Sequence, residues 1–362
     1  MKFTLAKIGL FLISLVLFNT AQAKIWRLNN NGNNPNPAIV ADFTGTLQEV
    51  HNSAEVVSGD TIHVEQSPTS YGDCTFTKRL VVIGSGYFLD KNPKTQVNVN
   101  YESKVGVLTF YNNNTAGTHV FGLTTSTIYM GVNNLLIARC YIPSAVIIGN
   151  TGTQDLDGMT LRQCYISLGG IYGGTAVVRN NSGTGQITNL SIVNNIIIAG
   201  TQGAVMTLSA KTSGILKNNV LSSPYNYGIN IQNFYVVNNI GLGTATNTFT
   251  NSIVEYNTGN AAGMFVAPAG TNNTIGLGNQ TKNATQIAFF GGTSYDNMYS
   301  LQVSSECIGA GKDGVDCGIF AGNYPYKLSG IPPVPNIYDV VIAPISAGAT
   351  NISVTVSAKG NN

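Results

Sequence analysis

A six-residue pattern recurs in the middle of the chain. Leu135–Cys140, Met159–Cys164, Leu190–Asn195, Gly214–Asn219, Phe234–Asn239 and Ser252–Asn257 align without gaps, their starts 18 to 31 residues apart. One column reads Ile137, Leu161, Ile192, Leu216, Val236 and Val254, aliphatic in every copy. The column two places earlier is apolar in four of the six, the period of two expected of a strand with one face inside. A unit of one strand and a turn cannot bury its own apolar face, so successive copies must stack as coils around a shared core.

The final column reads Cys140, Cys164, Asn195, Asn219, Asn239 and Asn257. Asn at one place in consecutive coils can satisfy backbone groups at a tight turn, adopt left-handed geometry and bond to the Asn stacked above and below. These Asn residues are therefore read as structural. Cys140 and Cys164 are read as small packed side chains in the same position, with a disulfide or reactive thiol pair as the alternative. Composition agrees with strands and turns. Charged residues are only 9% of the chain and Gly numbers 41, whereas amphipathic helices need a charged outer face.

Gly59-Asp60-Thr61-Ile62-His63-Val64, followed by Leu80-Val81-Val82-Ile83-Gly84, resembles the first coil of secreted right-handed parallel β-helix proteins of the pectin-lyase-like superfamily. Ile308–Gly314 with Asp316–Phe320 is similar to their closing segment. The resemblance covers roughly residues 40–325 and implies an all-β, right-handed parallel β-helix. It does not fix chemistry, because the superfamily holds lyases, hydrolases, tailspikes and adhesins. The expected organisation is a signal peptide over 1–23, the β-helix over 24–325 and a tail over 326–362 with a Pro-rich connector and one strand.

The signal peptide is read from Lys2 and Lys7, the apolar run Ile8–Phe18 and the small-x-small site Ala21-Gln22-Ala23. Export is expected, with cleavage near Ala23. Removing Lys2 and Lys7 leaves 16 basic against 16 acidic side chains, so neither nucleic acid nor a polybasic membrane contact is expected. No later segment reads as a transmembrane helix. Cys307 and Cys317 flank three glycines that could turn the chain back on itself, giving either a disulfide or two buried small hydrophobes.

Catalytic groups are sparse. The Asn-Thr-Asp-Gly, Asp-Asp, Gly-His-Gly and Arg-Ile-Lys strings of polygalacturonase-like hydrolases are absent, and His51, His63 and His119 all precede the aligned coils. Alternation places Arg162, Lys217 and Glu255 in one outward column, with Ala138, Val193 and Val237 between them. They are the candidate lyase groups, Arg162 and Lys217 two coils apart. Asp155 and Asp157 are the candidate calcium ligands, or else a solvated turn. Tyr165, Tyr172, Tyr225 and Tyr227, with Tyr235, are candidate platforms for sugar rings.

The expected function is a noncatalytic glycan-binding or cell-surface/structural module, with a polysaccharide or cell-surface glycan as partner and no cofactor. The alternative is a lyase or hydrolase with an atypical site, using calcium if a lyase. Ile192→Asp is expected to abolish folding and Val193→Asp to be tolerated. The alternation of Ile352, Val354 and Val356 with Ser353, Thr355 and Ser357 predicts a last strand packed against the helix, so that deleting 331–362 lowers the melting temperature.

Overall fold

In a computed structural model, residues 23–32, 41–92, 100–168, 176–200, 203–223, 228–291, 295–331, 335–343 and 351–359 are described. Residues 1–22 of the expected signal peptide, together with Tyr172, Tyr225 and Tyr227, lie outside them. The chain is an all-β parallel β-helix. Each complete coil contributes one strand to each of three parallel sheets, and among the described residues the first, second and third sheets hold 12, 8 and 9 strands. Going round a coil, the first sheet (Leu136–Ala138 in one coil) turns at once into the third (Tyr141–Ile142), which leads into the second (Val146–Ile148).

The aliphatic column forms as expected. Ile137, Leu161, Ile192, Leu216, Val236 and Val254 are register partners in consecutive strands of the first sheet, and all are fully buried. The same column extends back through Val120, Val82 and Ile62 to Trp26 and forward to Ile275. At the N-terminal end the helix Leu47–Asn52, started by a Thr46–Glu49 capping box, buries Leu47 and Val50. Gln48 Oε1 accepts the Thr75 N–H at 2.8 Å and so covers that edge of the second sheet.

At the turn from the first to the third sheet, the Asn stack replaces backbone acceptors with side-chain ones. Asn195, Asn219 and Asn239 each donate both a backbone and a side-chain N–H to the Oδ1 of the next Asn, at 2.9–3.1 Å. Asn257 does the same to Asn279, a rung beyond the aligned repeats. On the other side the Cys164 N–H donates to Asn195 Oδ1, and the Cys140 N–H to Cys164 Sγ at 3.5 Å. Sulfur thus continues the stack as a weaker acceptor. Left-handed geometry falls one residue earlier than expected, at Arg139, Gln163, Asn194, Asn218, Asn238 and Tyr256, with φ of 53–58°.

Those left-handed residues hold a second layer. The segment 307–331 runs back over the coils as a strap, and the turn residues meet its backbone one coil at a time. Asn238 Oδ1 accepts the Lys312 N–H, Asn218 donates to Gly318 O, and Asn194 donates to Ile319 O and Ala321 O. Gln163 then donates to Pro325 O and Arg139 to Ile331 O. The strap covers Tyr165, Ile196, Val220 and Ile240 on the outer face of the third sheet, in a second core with Cys317, Ile319 and Tyr326. This is why Ile196-Ile197-Ile198 is apolar on both faces. At its far end Asp296 accepts from Asn92 Nδ2 and Ser329 Oγ, and the Tyr87 and Tyr326 hydroxyls bond to each other.

Two expectations are overturned. Ala138, Val193 and Val237 face outward but are buried, Val193 with 8% exposure, because the strap adds a layer that alternation within a strand cannot reveal. The tail holds two strands, Asn336–Ile342 and Val354–Lys359, paired as an antiparallel hairpin. Its aliphatic side chains are exposed, so it does not pack on the helix.

These contacts set the outcomes of urea and thermal unfolding. Ile192→Asp abolishes folding, and Val193→Asp lowers stability by about 2 kcal/mol rather than being tolerated. Asn239→Ala orphans the Asn219 N–H and the Leu216 carbonyl, a loss of about 2–4 kcal/mol. Deleting 335–362 leaves the melting temperature unchanged, whereas deletion from 307 onward lowers it sharply.

Candidate functional site

Strand alternation does place Arg162, Lys217 and Glu255 in one column of the first sheet, with Val193 and Val237 between them. They do not form a site. The Arg162 guanidinium lies 4.4 Å from the centre of the Tyr324 ring of the strap, with its Nε buried. Glu255 pairs with strap Lys312 at 2.5 Å and accepts from the Tyr235 hydroxyl. Lys312 and Tyr235 hold the Glu255 carboxyl below its ordinary value of 4.5. Lys217 has no ion-pair partner among the described residues. Two of the three, Arg162 and Glu255, are thus engaged by the strap.

Asp155 precedes and Asp157 ends the short strand Leu156–Asp157, which pairs with the start of the first-sheet strand Ile187–Val193. Asp155 Oδ1 accepts the Gln186 N–H at 2.7 Å. Asp157 Oδ1 accepts from Thr188 Oγ1 and Asn189 Nδ2, which depress its pKa. Their oxygens serve the neighbouring coil, and among the described residues no cluster of three metal-ligating side chains is present.

Tyr165 is 5% exposed and packs against Phe88 and Tyr141, so it offers no face to a sugar. Phe88 and the apolar cluster that also holds Tyr299 and strap Tyr326 cover it. All five cysteines are buried free thiols. The chain does double back so that the Cys317 N–H reaches Cys307 O at 2.9 Å, but the two thiols are not joined, and Thr258 Oγ1 bonds to Cys317 Sγ. Burial raises both thiol pKa values, that of Cys317 to about 12.

With the third sheet covered and the first partly covered, the outer face of the second sheet carries an open groove of about 450 Å³. Its floor is an outward column in register, Arg179, Thr207 and Asn230, one residue per coil. Asn180, Ser209 and Gln232 complete the polar wall, with Ala176 and Leu208 as the apolar part. Asn180 is fixed by accepting the Ser209 N–H at 2.6 Å and donating to Thr212 Oγ1 at 2.9 Å. Arg179 donates to Ala176 O at 2.9 Å, which holds the guanidinium in place. No acidic side chain lines the groove or pairs with Arg179 among the described residues. Arg179 is half-buried, a cation without a counter-charge beside hydroxyls and amides.

No family model matches the chain, and no curated protein or solved structure matches it. Among the described residues no helix is long and apolar enough to cross a membrane.

The strap anchor gives a pH test. A carboxyl whose pKa is depressed on folding stabilises the protein above its unfolded value and loses that contribution as the pH falls through the lower folded value. Glu255→Gln therefore has a lower urea midpoint than wild type at pH 7. The two midpoints converge below pH 4.5, the ordinary value for this carboxyl.

Proposed function

We propose that this chain is an exported β-helix of the pectin-lyase-like kind that binds an anionic polysaccharide, without cleaving it, in the groove on the outer face of the second sheet. The observation that carries this reading is Arg179, an uncompensated guanidinium in an open groove whose remaining polar groups are neutral hydroxyls and amides. A guanidinium binds a carboxylate in bidentate geometry, and the neutral donors and acceptors suit sugar hydroxyls. Rungs roughly 4.7–4.9 Å apart present one side chain for about each sugar ring of a chain lying along the axis. Export is supported by the order of basic, apolar and small residues at the N-terminus.

Absence of turnover is argued from the groove lining. Glycoside hydrolysis needs two carboxyl groups flanking the bond, and a lyase needs a base beside the group that neutralises the uronate. Among the described residues the groove is lined by Arg179 and by no Asp, Glu, His, Lys or Tyr. Affinity electrophoresis in gels cast with polygalacturonate should retard the protein, and gels with a neutral glucan should not. Arg179→Ala should weaken binding about 10- to 100-fold, the loss of one charge-assisted contact. Ultraviolet absorbance should show no unsaturated product. Undiminished retardation of Arg179→Ala would refute the assignment of the groove.

A further inference from the structure

The last coil of the helix is open. No residue from 271 to 281 is buried. Ile275 continues the inward column, whose preceding rungs are buried, yet it is 41% exposed, and Leu277 beside it is 80% exposed. Among the described residues strand Thr274–Ile275 pairs only with the coil before it, and so does Gln280–Thr281, leaving both outer backbone edges unpaired there. Unpaired edges over an apolar surface are a template for another strand.

The same chain carries a matching element. In the C-terminal hairpin Val340 pairs with Val356 and Ile342 with Val354, so these four share one face, while Asp339 and Ser357 lie on the other. All four are about half exposed or more, and both outer edges of the hairpin are free. A lone two-stranded hairpin with an aliphatic face is marginal in water and needs a third layer or strand.

The hairpin is not docked on the open end of its own chain, since the aliphatic face of the one and Ile275 and Leu277 of the other are all exposed. Its connector leaves the helix at Ile331, bound to Arg139, six rungs of the first sheet before Ile275. The strap also delivers the chain away from that end.

We propose that the hairpin docks on the open last coil of a second copy of this chain, joining molecules head to tail. The contact is heterologous, because the two surfaces differ, so each molecule keeps one free hairpin and one free end and assembly continues beyond the dimer. Glycan binding plays no part in it.

Light scattering coupled to gel filtration, over a range of loading concentrations, tests the proposal. Wild type should rise in mass with concentration past the dimer. Leu277→Asp and Val356→Asp should each stay monomeric over that range with an unchanged melting temperature, and an equimolar mixture should form a dimer, since each supplies the surface the other lacks. Assembly of Leu277→Asp alone would point to hairpin-to-hairpin contact and overturn the proposal. So would assembly of Val356→Asp alone, a mixture that stays monomeric, or a monomeric wild type at every concentration.

Discussion

The stacked side chains at the turn between the first and third sheets set the geometry on which the rest of the protein depends. A two-residue corner in a parallel coil leaves a buried backbone N–H pointing along the axis with no carbonyl to receive it, and such a group is expensive unless satisfied. The Asn carboxamide supplies the acceptor, and its own N–H groups are taken by the next Asn and by backbone carbonyls such as Leu161 O and Leu216 O. Because every Asn both gives and receives, the corner repeats at constant length. That constancy keeps Ile137 to Val254 in one inward column.

The corner also explains where function can lie. Twin Asn residues at 194–195, 218–219 and 238–239 divide the work: the first adopts left-handed geometry and holds the strap, and the second turns inward to the stack. The strap then seals the third sheet and part of the first. The second sheet lies on the side away from the strap and keeps its outward side chains open, and the groove around Arg179 lies there.

The repeats were legible in the sequence because the first-sheet strands precede a corner of fixed length, which preserves their spacing from the Asn or Cys that follows. Second-sheet strands are not. Variable connections such as 149–159 and 181–186 separate them, so Val178-Arg179-Asn180 aligns with nothing and Arg179 escaped notice. Alternation correctly placed Arg162, Lys217 and Glu255 outward. It could not show that Tyr324 and Lys312, 162 and 57 residues away in sequence, would occupy two of them. Strand Val354–Lys359 was visible from its period of two, whereas its partner Asn336–Ile342 was hidden by the register shift between Ile337 and Asp339, which breaks that period.

Arginine footprinting is the most direct test of a ligand in the second-sheet groove. The protein is treated with phenylglyoxal in the presence and absence of polygalacturonate, and modified peptides are quantified by mass spectrometry. Arg179 should be modified in the free protein and protected by the polysaccharide, while the modification of Arg27 and Arg79 stays unchanged. Equal modification of Arg179 in both conditions, or protection centred on Arg162 under the strap, would contradict the placement of the ligand and return the search to the first sheet.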